Sequence, residues 1–229
     1  MSQIEKNTVS SINQLKENEY VEIFNENDPE IKILFAGNSI TKHAPNEEIG
    51  WSGNWGMAAS SLENDYVHQT LKKLKDVYGS ISYCICQVSE WENNYKNTDV
   101  NYDLFSKARE FCADIIVMRC VENCKVKEFD EICFEREYKK LIEYLNCKEN
   151  AKVILTTSFW YHPKADEIIR KIGKEKSYSV IELGELGEKD EMKATGLYEH
   201  CGVAAHPGDY GMKVISEKIF EGMKKNYDK

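Results

Sequence analysis

Short apolar runs alternate with longer stretches of mixed polarity along most of this chain. Five of the runs have the length and composition of buried strands: Ile31–Ala36, Ile81–Gln87, Ile115–Met118, Val153–Thr157 and Val180–Leu183. Before them, residues 1–30 form a polar leader that contains one further candidate strand, Tyr20–Phe24. The pattern therefore predicts a sheet of five buried strands and a short extra strand near the N-terminus.

The stretches between the runs carry apolar residues at intervals of three and four, which is typical of amphipathic helices. The predicted helices are Met57–Val77, Tyr102–Cys112, Phe129–Leu145, Pro163–Lys176 and Pro207–Met223. Strands that alternate with helices are joined by crossovers and pair in parallel, with helices on both faces. We therefore predict an α/β fold, a flavodoxin-like three-layer α/β/α sandwich around a five-stranded parallel sheet. No repeat or linker divides residues 1–229, so we expect a single domain, with Gly184–Gly202 as an irregular loop.

The charge of the chain narrows the class of partner. The formal net charge is -9 and the isoelectric point is near 5.2, whereas nucleic acids and anionic membranes attract clustered Lys and Arg. The N-terminus lacks the pattern of a signal peptide, and no stretch approaches the roughly 20 apolar residues that span a bilayer. We therefore expect a cytoplasmic protein that acts on a small molecule and binds neither nucleic acid nor membrane. The oligomeric state is left open.

The eight cysteines are scattered through predicted strands and helices and include no Cys-x-x-Cys pair. Such thiols are typical of a reduced cytosolic protein, and the ligand spacing of a structural zinc site is missing. We therefore expect no disulfide framework, no metal and no cofactor. The cysteines are Cys84, Cys86, Cys112, Cys120, Cys124, Cys133, Cys147 and Cys201.

The first buried strand ends in Gly-Asn-Ser-Ile-Thr at residues 37–41. Gly37 allows the chain to turn sharply as it leaves the sheet. Ser39 then lies at the carboxyl edge, where open α/β sheets place their sites, and at the foot of the predicted first helix. A serine displayed in this way can be a nucleophile, but serine is also a favoured helix N-cap. These residues alone leave both interpretations open.

Polar residues also follow two other elements at the same edge. Glu122 and Asn123 come after the strand Ile115–Met118, and His206 opens the motif His-Pro-Gly-Asp-x-Gly-Met before the last helix. A hydroxyl, a carboxamide and an imidazole are thus predicted to converge. Acyl transfer from an ester needs this set: a nucleophile, a base and donors for the oxyanion.

The two motifs, with Ser first and His last, resemble the SGNH or GDSL family of esterases and acylhydrolases over roughly residues 31 to 223. The resemblance implies that Ser39 is the nucleophile and that His206 is the general base and later the acid. It also implies three oxyanion donors: the backbone N–H of Ser39, the side chain of Asn123 and the backbone N–H of Glu90. The implied activity is a serine esterase that cleaves a small ester, such as an O-acetyl group on a carbohydrate, through an acyl-Ser39 intermediate.

Four positions depart from the family pattern. Asn38 replaces an Asp, Glu90 and Val121 replace glycines, and Val203 stands where the family has the Asp of the triad. We therefore predict a Ser–His dyad in which a backbone carbonyl, that of Val203, fixes the tautomer of His206. Other acids that could replace the missing Asp are Glu199, Glu122, Glu90 and Asp209.

Aromatic residues cluster near the predicted edge and define a candidate substrate wall. Together with Asn38, its members are Trp51, Trp55, Trp91 and Trp160. Trp51 and Trp55 could equally cap the core. His43 and His162 are expected to face the substrate or the surface, and His68 to pack as a helix residue.

Two rival functions are left open by the sequence. The missing Asp and the two missing glycines fit a binding protein that kept the fold and lost turnover. Scattered His and Asp residues leave room for a metal-dependent hydrolase, although no metal ligands are assigned.

Overall fold

The computed structural model describes residues 20–97, 100–148 and 150–224; most of the predicted leader lies outside these ranges. Its strands are β1 Val21–Phe24, β2 Ile31–Gly37, β3 Ile81–Gln87, β4 Ile115–Arg119, β5 Lys152–Thr156 and β6 Ser179–Ile181. Its α-helices are α1 Tyr66–Tyr78, α2 Ser89–Asn94, α3 Ser106–Glu110, α4 Glu131–Leu145, α5 Pro163–Lys176, α6 Cys201–Ala204 and α7 Asp209–Lys224.

The six strands form one sheet in the order β1-β3-β2-β4-β5-β6. Strands β2 to β6 run parallel, and β1 pairs antiparallel with β3 at the edge. The parallel α/β architecture is confirmed: the five predicted buried strands form the parallel part of the sheet, and the predicted extra strand near the N-terminus adds a sixth, antiparallel strand at its edge. Among the parallel strands the order is that of flavodoxin-like sheets, which bind ligands where the strand order reverses. Here that point lies at the carboxyl ends of β2 and β4.

Helices cover both faces of the sheet. Leu34 and Ala36 of β2 belong to an apolar cluster that includes residues of α3, α4 and α5. Their neighbours Ile33 and Phe35 belong to a second cluster, which includes residues of α1 and α7. A strand that is apolar at consecutive positions is therefore buried on both sides, as in other parallel sheets.

The first helix begins at Tyr66 rather than at Met57 as predicted. Asp65 is its N-cap and accepts a hydrogen bond from the His68 backbone N–H at 2.8 Å. Met57 instead donates its backbone N–H to the Ser39 carbonyl oxygen at 2.9 Å. Ser39 therefore lies in a turn between β2 and a loop, and the prediction that it sits at the foot of a helix is wrong. The short helices α2 and α6 were not predicted.

Cys112 and Cys147 form a disulfide, with their Cα atoms 5.2 Å apart. The expectation that every cysteine is reduced is therefore wrong for this pair, which joins the residues after α3 to those after α4. The pairing depends on the C-terminal ends of two helices meeting in space, and the spacing of cysteines in the sequence does not reveal that. No helix among the described residues combines the length and the apolar character needed to cross a bilayer.

Candidate active site

Ser39 and His206 meet at the carboxyl edge of the sheet. Ser39 Oγ lies 2.8 Å from His206 Nε2, and the two residues are 2% and 0% exposed. The turn at Ser39 requires Gly37, because a Cβ atom there would overlap Thr41 Oγ1 and the Arg119 carbonyl oxygen. The structure thus brings together the hydroxyl and the imidazole that the sequence places at this edge.

A backbone carbonyl fixes the tautomer of His206. His206 Nδ1 lies 2.6 Å from the Gly202 carbonyl oxygen, which can only accept, so Nδ1 carries the hydrogen. The lone pair of Nε2 therefore faces the Ser39 hydroxyl. The predicted carbonyl, that of Val203, is the wrong one: it accepts the His206 backbone N–H at 3.0 Å, because helix α6 turns the Gly202 carbonyl toward the ring.

The acids considered as substitutes for the missing Asp are occupied elsewhere or exposed. Asp209 accepts from the Ser60 backbone N–H and hydroxyl at 2.7 and 2.6 Å. Glu90 accepts from Asn94 Nδ2 at 2.7 Å, and Glu199 is exposed. The fourth acid, Glu122, accepts two hydrogen bonds from the Arg119 guanidinium. The hydrogen-bonded orientation of the imidazole thus comes from the backbone.

His206 is held neutral by its surroundings. Burial lowers its pKa to about 3, although the Gly202 carbonyl acts in the opposite direction. The Trp160 indole packs edge-on against the ring, with centroids 5.0 Å apart, and donates its Nε1–H to the Ala205 carbonyl oxygen at 3.1 Å. Nε2 of this neutral ring is therefore able to accept the serine proton, and Nδ1 is hydrogen-bonded to a backbone carbonyl rather than to a carboxylate.

A buried polar cluster lies directly behind Ser39. Asn38 Nδ2 donates to Glu92 Oε1 at 2.9 Å and to Glu122 Oε2 at 2.6 Å, while Asn38 Oδ1 accepts from Arg119. An aspartate at position 38 could not donate these two bonds and would add a third carboxylate beside one guanidinium. The Asn that departs from the family pattern is therefore the residue that this cluster requires.

The pKa values of the two carboxylates of the cluster are shifted in opposite directions. Burial opposes ionisation of Glu122, but the Arg119 guanidinium and several N–H donors hold its pKa below the usual range. Burial, together with the charge of Glu122, raises the pKa of Glu92 to about 7. One carboxylate is thus paired with the guanidinium, and the other ionises near neutral pH.

The predicted oxyanion donors other than Ser39 lie just after β3 and β4, Glu90 at the start of α2 and Asn123 in the loop after β4. Asn123 Nδ2 donates to Glu92 Oε2, and Glu90 belongs to the first turn of α2. The start of α2 is tied to the end of β2, because the Val88 N–H donates to the Gly37 carbonyl oxygen at 2.7 Å. Their role as oxyanion donors stays a prediction.

Val121 has a backbone φ of 113°, a conformation that favours glycine. This is one of the positions at which the sequence lacks the glycine of the family. The side chain is buried, and the backbone N–H donates to Glu92 Oε1. A hydrogen bond to a carboxylate and apolar burial therefore offset the strain of a β-branched residue at this position.

Three members of the predicted substrate wall are interior residues, so this prediction is wrong for Trp91 and Asn38, and for Trp51 the alternative of capping the core holds. Trp91 is fully buried in the apolar cluster against Phe134 and Tyr138 of α4, because α2 directs the indole back onto the sheet. Asn38 belongs to the buried polar cluster. Trp51 is buried and donates its Nε1–H to the His43 carbonyl oxygen at 3.1 Å. Trp51 therefore caps a third apolar cluster, formed by Ile49, Trp51, Met57, Ala58, Ala194 and Val203.

The other two tryptophans of the predicted wall are only partly buried. Trp55 packs edge-on against Trp51 at 5.8 Å and donates to the Ala59 carbonyl oxygen at 2.9 Å. Trp160 contacts the ring of His206, as described above. These two indoles stay candidates for contact with a substrate.

The remaining histidines have structural partners. His162 is buried as the N-cap of α5 and accepts from the Ala165 N–H at 3.3 Å. His68 interacts with the Asp65 carboxylate at 2.9 Å. His43 is buried, with Nδ1 2.6 Å from the Ala44 carbonyl oxygen, so the expectation that His43 and His162 face substrate or surface is wrong. Within residues 20–97, 100–148 and 150–224, His43 Nε2 has no hydrogen-bond partner.

Replacing His43 with asparagine is expected to make the protein more resistant to acid. Burial lowers the pKa of His43 from 6.5 to about 4, so the unfolded chain binds more protons between these values. The stability contributed by the neutral ring is present above pH 6.5 and falls by about 3 kcal/mol as the pH decreases to 4. Asparagine keeps an N–H donor for Ala44 but does not titrate.

Urea unfolding at pH 7 and pH 4 measures this difference, with His68→Asn as the control at a partly exposed histidine. His206 titrates in all three proteins and therefore cancels from the comparison. An identical decrease in unfolding free energy for the wild type and His43→Asn would contradict the prediction.

Neither a family model nor a curated protein matches the sequence. The fold is similar to that of a family two carbohydrate esterase from Clostridium thermocellum, solved as an active-site mutant, with a TM-score of 0.58 and 14% identity; the match covers 87% of this chain and 65% of that chain. A two-domain esterase active on acetylated mannans gives a TM-score of 0.55 and 16% identity, covering 85% of this chain and 50% of that chain.

A protein from Bacteroides ovatus described as a GDSL-like lipase matches with a TM-score of 0.56 and 17% identity, over 85% of this chain and 98% of that one. The resemblance noted in the sequence motifs is therefore confirmed for the fold: the chain has the SGNH (GDSL-type) hydrolase fold. The match spans 65% of the family two carbohydrate esterase and 50% of the esterase active on acetylated mannans, so their activities are not assigned to this chain by this likeness.

Proposed function

We propose that this protein is a serine esterase or acylhydrolase that cleaves a small carboxylic ester through an acyl-Ser39 intermediate. The observation that carries the proposal is the 2.8 Å contact between Ser39 Oγ and His206 Nε2, with His206 Nδ1 hydrogen-bonded to the Gly202 carbonyl oxygen. This arrangement leaves Nε2 as the acceptor for the serine proton, which is the first requirement of nucleophilic catalysis by a hydroxyl.

The first half of the reaction acylates Ser39. Oγ forms a bond to the ester carbonyl carbon as its proton moves to His206 Nε2, and the carbonyl electron pair moves to the oxygen. The backbone N–H groups of Ser39 and Glu90 and the side chain of Asn123 would bind that oxyanion. The C–O bond to the alcohol then breaks, and His206 gives its proton to the departing alkoxide. The alcohol leaves, and the acyl group stays on Ser39.

The second half returns the enzyme to its starting state. A water molecule attacks the acyl carbon and gives its proton to His206 Nε2. The tetrahedral intermediate collapses by breaking the bond to Ser39 Oγ, which takes the proton back. The carboxylic acid is released, so one ester and one water give one alcohol and one acid.

A compact acyl group, such as acetyl on a carbohydrate, is the substrate class that we favour. Ser39 and His206 are almost fully buried, so entry to the dyad is narrow and favours a small acyl group. The partly exposed indoles of Trp55 and Trp160 offer apolar faces for a sugar ring. One protein with a similar structure is a family two carbohydrate esterase, and another is an esterase active on acetylated mannans.

Labelling with a fluorophosphonate probe tests the proposed function. We expect covalent modification at Ser39, identified by peptide mass spectrometry, because the probe reacts with a serine that has an adjacent base. The same preparation should hydrolyse p-nitrophenyl acetate and release acetate from acetylated sugars, with Ser39→Ala as the blank. A folded wild type that neither takes up the label nor hydrolyses any ester would contradict the proposal.

A binding protein for an acylated or sugar ligand is the alternative. It is favoured by the burial of Ser39 and by the β-branched Val121 at a glycine position beside the site. This alternative expects saturable binding of an acetylated oligosaccharide without labelling or turnover. Hydrolysis that a chelator abolishes and zinc restores would instead indicate a metal-dependent hydrolase.

A further inference from the structure

We propose that Glu92 is a positioning residue for this site, which in its carboxylate form holds Asn38, Val121 and Asn123 in the geometry that ester hydrolysis requires. The inference rests on the proposed esterase function and adds a residue that the sequence motifs do not include. Glu92 acts through its neighbours and not on the substrate.

The carboxylate of Glu92 joins three elements behind the dyad. Oε1 accepts from Asn38 Nδ2 at 2.9 Å and from the Val121 backbone N–H, and Oε2 accepts from Asn123 Nδ2. The residue itself comes from α2 and is 1% exposed. One buried side chain therefore connects the turn after β2, which presents Ser39, to the loop after β4, which presents Asn123.

All of these partners are donors, which makes the ionised form of Glu92 the matching one. A protonated carboxyl carries an O–H that needs an acceptor. The Val121 amide cannot provide one, and Asn38 already offers its oxygen to Arg119. A proton on Glu92 is therefore accommodated by rotating the Asn123 carboxamide so that its oxygen faces Glu92. That rotation moves the nitrogen of Asn123, the group assigned to the oxyanion.

The charged and titratable groups around Glu92 come from several elements. Arg119 is the last residue of β4, and Cys120, Glu122 and Cys124 lie in the loop that follows it. Tyr138 faces the cluster from α4. Burial raises the pKa values of the thiols and the tyrosine, which stay neutral near pH 7. Burial, together with the charge of Glu122, raises the pKa of Glu92 to about 7.

Esterase activity is therefore expected to fall as the pH decreases through about 7. The conventional origin of such a decrease is protonation of the catalytic histidine. Here His206 stays neutral down to a pH of about 3, so it does not produce a decrease near neutrality. The proton that inactivates the site binds at Glu92, and its effect reaches the substrate through Asn123.

The variant Glu92→Gln tests the proposal, because it keeps the shape of the side chain but cannot ionise. Its amide N–H groups face Asn123, so we expect kcat at pH 8 to fall about 100-fold with little change in KM. The decrease in activity as the pH falls through about 7, which is the acidic limb of the pH profile, should disappear. Glu137→Gln, at a largely buried glutamate of α4 that pairs with Arg136, is the matched control and should keep both the wild-type activity and the limb.

A double-mutant cycle with Asn123→Ala shows whether Glu92 acts through that carboxamide. If it does, Glu92→Gln combined with Asn123→Ala is expected to lose no more activity than Asn123→Ala alone. The Asn123→Ala protein should also have a flat profile between about pH 6 and pH 8. This second measurement decides the matter if Glu92→Gln does not fold.

The outcomes separate this inference from the proposed function. A wild type without Ser39 labelling or turnover would overturn the esterase assignment and this inference with it. A wild type that is active through Ser39 would overturn the inference alone in either of two cases. The first is a folded Glu92→Gln protein with activity within threefold of wild type and an unchanged limb near pH 7. The second is an Asn123→Ala protein that keeps this limb.

Discussion

Replacing Ser39 with alanine is expected to lower kcat for ester hydrolysis by about 10⁴-fold or more. The hydroxyl is the group that forms the acyl intermediate. It is hydrogen-bonded to His206 Nε2 at 2.8 Å and supplies the proton that this nitrogen accepts. KM should change little, because the oxyanion donors and the substrate-contacting side chains stay in place. Initial rates with p-nitrophenyl acetate, corrected for spontaneous hydrolysis, measure the effect.

Ser216→Ala is the matched control for this variant. Ser216 is a buried serine on α7, so its replacement removes the same atom from the interior without affecting the dyad. We expect wild-type activity from this control and folded protein from both variants, as judged by thermal unfolding. If Ser39→Ala retained more than about a tenth of the wild-type kcat, Ser39 would not be the nucleophile.

The elements nearest the site were predictable where their signals are local. The bounds predicted for Ile81–Gln87 and Pro163–Lys176 match β3 and α5. An unbroken apolar run marks the strand, and a proline in the first turn marks the helix. The turn at Ser39 was marked by Gly37 in the same way. Local signals of this kind identify an element without knowledge of what it contacts.

The start of the first helix was not predictable from periodicity. Apolar spacing shows that residues are buried, but it does not show which neighbours bury them. Met57 and Ala58 fit a helical pattern, yet they pack with Trp51 and Val203 in the third apolar cluster. The same limit applies to Trp91, whose position after a strand suggested the site edge but whose side chain lies in the core.

Glu92 had no signal in the sequence because its role depends on distant partners. Asn38, Val121 and Asn123 lie 54, 29 and 31 positions away along the chain. A glutamate between Trp91 and two asparagines has the pattern of a solvated helix position. Only the fold shows that α2 directs this carboxylate inward. The hydrogen bond from Asn38 to Glu92 then explains why position 38 holds Asn rather than Asp.

Replacing His206 with alanine is expected to reduce kcat as strongly as Ser39→Ala, by about 10⁴-fold or more. Without the imidazole, no base takes the proton from Ser39, and no acid protonates the leaving alcohol. The double variant Ser39→Ala/His206→Ala should be no slower than either single variant, because the two residues act as one unit. A double variant that is much slower than both would show that they contribute independently.

Variants of the nearby carboxylates distinguish a dyad from a triad with an unidentified acid. Asp209→Asn and Glu199→Gln are expected to keep kcat within about tenfold of wild type, since the Gly202 carbonyl orients the ring without them. Asp209 accepts hydrogen bonds from Ser60, and Glu199 is exposed, whereas the nitrogens of the imidazole are hydrogen-bonded to Ser39 and Gly202. A thousandfold loss in either variant would place a carboxylate behind His206 during catalysis and would overturn the dyad. Activity close to wild type in both would leave the backbone carbonyl as the group that sets the tautomer, with the neutral ring maintained by burial.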